Sequence, residues 1–274
     1  MNFAPFAFQN SQVTTTPTFD PNSIANLTFW VDFSNPNYYT TSGSSIINVY
    51  SIVGGSTGHT LARVNTSTNY YTLTAGLSNS SLNTAKVVTR PTTYRASSWN
   101  TASDAAIVLG PKTNTTSYPD GSMFVVLNRG TISTAGYLIS RFNNSNNTDR
   151  GVIYNLTTGS PNTDIIGYDF NSPVYQYYNT TASAHNILTR VNNSATSTIY
   201  KGSTQQATGS KNDTQNRTTR QFHNIGIFGS PTGVGDTTPV NEQYCEILMY
   251  NRVLDATELN QVWNYLSNKW NITL

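Results

Sequence analysis

Charge is what this sequence has least of. Asp, Glu, Lys and Arg make up 10% of its 274 residues, against about 25% in an average soluble domain. Glu occurs three times, at 242, 246 and 258, and Lys five times. So few of these residues exclude a coiled coil or long-helix protein, which draws about half its composition from Ala, Glu, Lys, Leu and Arg. A net charge of +2 with no basic run argues against a groove that binds nucleic acid by neutralising phosphates. Cysteine is also scarce. Cys245 stands alone, so there is neither an internal disulfide nor a cysteine zinc site. Its place in the apolar run Cys245-Glu246-Ile247-Leu248-Met249 marks it as a buried, inert thiol. No stretch reaches the ~18 apolar residues of a membrane span. The first residues, Met1-Asn2-Phe3-Ala4-Pro5-Phe6, show neither a basic region nor the apolar core of a signal peptide, so no export signal is expected.

What is abundant is neutral polarity. Asn alone fills 34 positions, and Asn, Thr and Ser together about 38% of the chain. Aromatic residues reach 12%, enough to build a core and to set the chain apart from disordered ones. Asn-x-Ser/Thr sequons are frequent, but this composition generates most of them by chance.

Residues 1–20 read as an irregular arm in which Phe3, Phe6 and Phe8 alternate with small residues. They suit either a loose terminus or a docking arm that buries its rings against neighbouring capsid or fibre subunits. Residues 21–274 read as one domain. Short runs rich in Val, Ile, Tyr, Phe and Thr recur between turn-forming clusters, as in a sandwich or barrel. These runs are 45–53, 105–109, 123–128, 137–142, 151–155, 174–178, 187–191, 197–201, 223–228 and 244–250. Asn192-Asn193-Ser194 predicts a hairpin between two of them. One segment is helical instead. Asp255-Ala256-Thr257-Glu258 is a capping box, and Leu259, Val262, Trp263, Leu266 and Trp270 then share one face.

Three stretches resemble the laminin-G-like branch of the concanavalin A-like lectin/glucanase superfamily, of the type found in virus and phage structural proteins. The first runs from Asn26 through Trp30-Val31-Asp32 to Ser34. The second is Val49-Tyr50-Ser51-Ile52-Val53-Gly54-Gly55-Ser56-Thr57-Gly58-His59. The third is Glu246-Ile247-Leu248-Met249-Tyr250-Asn251-Arg252-Val253-Leu254-Asp255 with the helix that follows. The resemblance implies an all-β jelly-roll sandwich of two antiparallel sheets with one C-terminal amphipathic helix. It does not decide function, because the superfamily holds lectins, glucanases, lyases and structural modules.

Glycosidases normally need two carboxylates flanking the scissile bond. Glu258 is spent on the cap, and Glu242 with Glu246 makes a poor pair at a strand start. Gly54-Gly55-Ser56-Thr57-Gly58 matches a nucleophile elbow, but the following residues show no helical stripe. His59, His185 and His223 lack ligand partners at metal spacing. No cofactor is expected, although loops 143–149 and 164–171 carry the Asp and Asn oxygens that calcium takes. The best candidate glycan site is Tyr168, Asp169 and Asn171 followed by Tyr175 and Tyr177. Tyr175 and Tyr177 share a strand face where rings stack on sugars, with Asp169 and Asn171 bonding hydroxyls. The competing reading is that these rings cover a sheet.

The expectation is therefore a non-enzymatic virion structural protein, minor capsid or fibre, with host-glycan attachment, made in the host cytoplasm. It binds no nucleic acid and inserts in no membrane. The uncharged surface suits an assembled exterior. The alternative is a secreted or surface carbohydrate-binding module, and a polysaccharide lyase or hydrolase ranks third.

Overall fold

The computed structural model describes residues 19–43, 45–63, 72–74, 87–89, 99–101, 120–128, 136–143, 153–155, 165–166, 185–193, 196–210, 220–225 and 243–274. The strands are β1 (Leu27–Asp32), β2 (Tyr39–Ser42), β3 (Ser45–Val53), β4 (Ser56–Arg63), β5 (Thr72–Thr74), β6 (Val87–Thr89), β7 (Trp99–Thr101) and β8 (Gly121–Asn128). They continue as β9 (Gly136–Asn143), β10 (Ile153–Asn155), β11 (Ile165–Ile166), β12 (His185–Asn193), β13 (Thr196–Lys201), β14 (Thr204–Ser210), β15 (Arg220–Ile225) and β16 (Gln243–Tyr250). Helix α1 (Ala256–Trp270) closes the chain.

The strands form an antiparallel β-sandwich with one C-terminal helix. Hydrogen bonding runs β11-β10-β9-β15-β7-β4-β3-β5-β6-β16-β8-β12-β13-β14, with β1 also on β16 and β2 also on β3. The expected hairpin is present, since β12 and β13 pair from Leu188↔Lys201 to Asn193↔Thr196. Gly54 and Gly55 make the tight turn between β3 and β4, with φ of +59° and +77°. Val53 pairs with Ser56 across them, the two-residue hairpin that needs positive φ at both central positions. Ser56 thus opens a strand and not a helix, so the elbow pattern is only a turn. The run expected at 223–228 lies at Arg220–Ile225, while the runs at 105–109 and 174–178 lie outside the described residues.

β8, β12 and β16 are buried on both faces. Phe124, Val126, Ile187, Val191, Leu248 and Tyr250 pack with Leu259, Val262, Trp263, Leu266 and Trp270 of α1. Their alternates Met123, Val125, Leu127, Leu188, Ile247 and Met249 are just as buried. Strands alternate faces, so these side chains point into the sandwich. Burial on both faces is why Met123-Phe124-Val125-Val126-Leu127 reads as a continuous apolar run rather than an alternating one. At ~25 cal/mol per Å² of apolar surface, such strands dominate the driving force for folding.

Helix α1 forms for local reasons. The Asp255 side chain accepts from Glu258 N at 2.9 Å, and Glu258 Oε2 accepts from Asp255 N at 3.0 Å. The helix ends at Asn271, whose left-handed φ of 51° suits Asn better than most residues. Beyond it the C-terminus lies against the β13–β14 turn. A Cβ on Gly202, itself at φ +53°, would meet Leu274 Cα at 2.9 Å.

Candidate functional site

The richest polar constellation among the described residues joins β1, β16 and α1. Glu246 lies in mid-strand on the face that α1 covers and is fully buried. Its Oε1 accepts from Trp30 Nε1 at 2.8 Å and from Tyr265 Oη at 2.9 Å. Its Oε2 accepts from Trp270 Nε1 at 2.7 Å and faces Lys269 Nζ at 2.7 Å. Lys269 Nζ also donates to Asp32 Oδ2 at 2.6 Å and to Tyr265 Oη at 3.0 Å. Asp32 Oδ1 accepts from Ser34 N at 2.9 Å and Ser34 Oγ at 2.6 Å. One ammonium thus serves two carboxylates, under a roof of indole and phenol rings.

Burial raises the Glu246 carboxyl above the usual carboxylate range, with Lys269 opposing and Asp32 reinforcing that rise. Burial works against the charge of Lys269, but Glu246 and Asp32 more than offset it and hold the ammonium above its ordinary value. The Tyr265 phenol is pushed far up by burial and by the carboxylate it donates to. Cys245, next in sequence, is buried and its thiol is pushed up by burial first and then by Glu246 and Asp32. That matches the inert thiol expected from its apolar run.

A second polar cluster faces the sandwich interior. Arg190 of β12 is 2% exposed, and its Nε donates to Asn192 Oδ1 at 3.1 Å and Ser197 Oγ at 2.9 Å. Asn192 Nδ2 is buried without a partner. A third polar feature is the margin of the sheet beyond α1. Thr198 Oγ1 and Thr208 Oγ1 lie 3.0 Å apart, and Gln205 Nε2 donates to Thr208 Oγ1 at 3.1 Å. These side chains are neutral hydroxyls and amides, and Gln205 and Thr208 are exposed.

The glycan platform expected at Tyr168, Asp169, Asn171, Tyr175 and Tyr177 lies outside the described residues, as do Phe3, Phe6 and Phe8. Phe19 is described, and its ring meets Tyr265 edge-on at 5.9 Å. His185 is half-buried, and its imidazole is lowered to about 4 by burial, with a Gln243 hydrogen bond opposing. Among the described residues no group of three or more His, Cys, Asp or Glu comes together to hold a metal.

Sequence reasoning missed Asp32, Lys269 and Arg190. A signal existed for the first two, because Glu246 inside an apolar run demands a buried partner. Trp-x-Asp and Lys-Trp were the stretches able to supply donors and charge. Nothing comparable marked Arg190.

No protein-family model matches the chain, and no curated protein matches it. Solved structures do. The binding domain of Paraclostridial Mosquitocidal Protein 1 aligns over 91% of this chain and 54% of its own, with a TM-score of 0.56 and 13% identity. The botulinum neurotoxin serotype D/C binding domain aligns over 90% and 53%, with a TM-score of 0.52 and 11% identity. A mutant of Trypanosoma rangeli sialidase displaying trans-sialidase activity aligns over 91% and 34%, with a TM-score of 0.54 and 10% identity. The chain spans about half of each toxin binding domain and about a third of the sialidase.

These likenesses agree with the sandwich fold and lend nothing to a viral affiliation. They also correct the expectation of a non-enzymatic chain, since the fold recurs within a sialidase. The count of Glu residues tested only for a two-carboxylate glycosidase. Sialidases work with a Tyr nucleophile, so scarce Glu does not separate this fold from enzymes.

Proposed function

We propose that this chain is a carbohydrate-binding module. The observation that carries the reading is the fold shared with two toxin binding domains over nine-tenths of the chain. It is supported by a surface chemistry of neutral hydroxyls and amides, shown locally by Thr198, Gln205 and Thr208. Such groups exchange hydrogen bonds with sugar hydroxyls without desolvating a charge. Tyr168, Asp169, Asn171, Tyr175 and Tyr177 supply the proposed stacking platform and its polar contacts. The comparisons support binding better than the virion role expected from the sequence, and no capsid or fibre partner is supported by them.

The test is a glycan array probed with the full chain. Saturable binding to a defined set of glycans is the expected result. Removing both rings, in Tyr175→Ala with Tyr177→Ala, should then weaken binding by roughly tenfold, the scale of ~1 kcal/mol or slightly more for lost aromatic contacts. Silence across the array would remove the proposal.

A further inference from the structure

We infer that the chain forms an intramolecular amide cross-link between Lys269 Nζ and Asp32 Cγ, with Glu246 carrying the protons. The reacting groups are already in contact. Lys269 Nζ stands 2.6 Å from Asp32 Oδ2 and 2.7 Å from Glu246 Oε2. Packing holds them there, because Glu246 is anchored by Trp30, Tyr265 and Trp270. Lys269 Nζ lies 5.2 Å from the Tyr265 ring centre and 5.5 Å from that of Trp270. Enforced proximity of this kind is worth an effective concentration of about 10⁵ M or more.

The chemistry balances within the cluster. Lys269 passes a proton across 2.7 Å to Glu246 Oε2, Glu246 delivers it to Asp32 Oδ2, and the freed lone pair adds to Cγ of the neutral acid. Charge then develops on Asp32 Oδ1, which already accepts from Ser34 N and Ser34 Oγ, a pair of donors placed as in an oxyanion hole. Glu246 then takes a second proton from the nitrogen and passes it to the Oδ2 hydroxyl. Oδ2 departs as water, and the C–N bond remains. An ammonium and a carboxylate thus become an amide and one water, with no oxidant, reductant or outside acid, and Glu246 ends as it began.

The energetic case concerns buried charge. The cluster holds two carboxylates against one ammonium, with Glu246 fully buried and Asp32 at 6% exposure. Taking ions out of water is costly even when they are paired. Condensation replaces two of the three charges with a neutral amide and leaves Glu246 its three ring donors. Burial raises the Glu246 carboxyl and so favours its taking the proton, while Glu246 and Asp32 hold the Lys269 ammonium above its ordinary value and oppose the loss. The link would fasten the first described strand to the last turn of the helix across 237 residues.

Intact mass spectrometry of the denatured full chain, after incubation at neutral pH, tests this. The expected mass lies about 18 Da, one water, below that of the sequence. Tandem spectra should show peptides containing Lys269 and Asp32 joined. Asp32→Ala, Lys269→Arg and the near-isosteric Glu246→Gln should each return the full sequence mass. A wild-type chain that stays at the full mass overturns the inference, and so does a loss of water mapped to other residues.

Discussion

Glu246 shows how a single side chain reorganises its surroundings. Placed in mid-strand between apolar neighbours, it is fully buried, and four donors turn toward it: two indoles, a phenol and an ammonium. Removing one partner should hurt more than removing the whole set. Lys269→Met leaves two carboxylates buried without a counter-charge, and is expected to lower unfolding free energy by about 3–5 kcal/mol in urea titrations. His185 gives a second prediction at this scale. Its folded pKa of about 4 lies below the ordinary 6.5 because burial disfavours the imidazolium. The unfolded state therefore binds its proton first as pH falls. The stability His185 contributes is present above pH 6.5 and is lost as pH drops toward 4. NMR titration should find the ring neutral at pH 5.5, and His185→Asn should flatten that part of the stability profile. At this scale little was legible in advance. Cys245 could be read as inert from its neighbours, whereas Asp32 and Lys269 are 237 positions apart, and only the fold reveals that they touch.

Helix α1 was the most legible element, because its signals are local. A capping box and a five-residue apolar face lie within residues 255–270, and neither depends on the rest of the chain. Asp255→Ala should cost ~1 kcal/mol in a thermal or denaturant melt. Glu258 serves twice, receiving Asp255 N and the guanidinium of Arg252. The Arg252 hydrogen bond leads in holding its carboxyl below the usual range. A depressed folded pKa means that this contribution is present above the ordinary value of 4.5 and fades below it. Glu258→Gln should accordingly remove part of the acid limb of the stability curve while changing little near its lower end. Strands with both faces buried were legible too, since 123–127 is a continuous apolar run and 244–250 is broken only by Glu246. Their partners were not. The pairing of β16 with β1, more than 200 residues away, follows from register and closure, which no local pattern encodes. The β13–β14 turn is a further case. Gly202 looks like an ordinary turn glycine, yet the C-terminus lies where its Cβ would go. Gly202→Ala is expected to destabilise by ~1 kcal/mol or more, through both positive φ and the clash.

For the whole molecule, the scarcity of charge is what the fold puts to use. The buried clasp accounts for Asp32, Glu246 and Lys269, Glu258 and Arg252 are spent on the helix start, and Arg190 is enclosed within the sandwich. Among the described residues, neutral hydroxyls and amides line the exposed margin of β13 and β14. The sandwich was legible as a class from short strands and turn clusters, and the likeness to toxin binding domains agrees with it. Few Glu residues do not imply an absence of enzymatic activity, because the two-carboxylate glycosidase is one catalytic design among several. The proposed binding through a neutral surface has a direct consequence. Charge-driven association weakens sharply over the Debye range, whereas hydrogen bonding and ring stacking on a sugar do not. The decisive measurement is the affinity of the full chain for the strongest neutral oligosaccharide on the array, taken by calorimetry at low and at high salt. The account predicts saturable binding whose affinity changes by less than about twofold as the Debye length shrinks from ~10 Å to ~3 Å. Binding confined to charged polymers and abolished by salt, or no binding to any oligosaccharide, would contradict it.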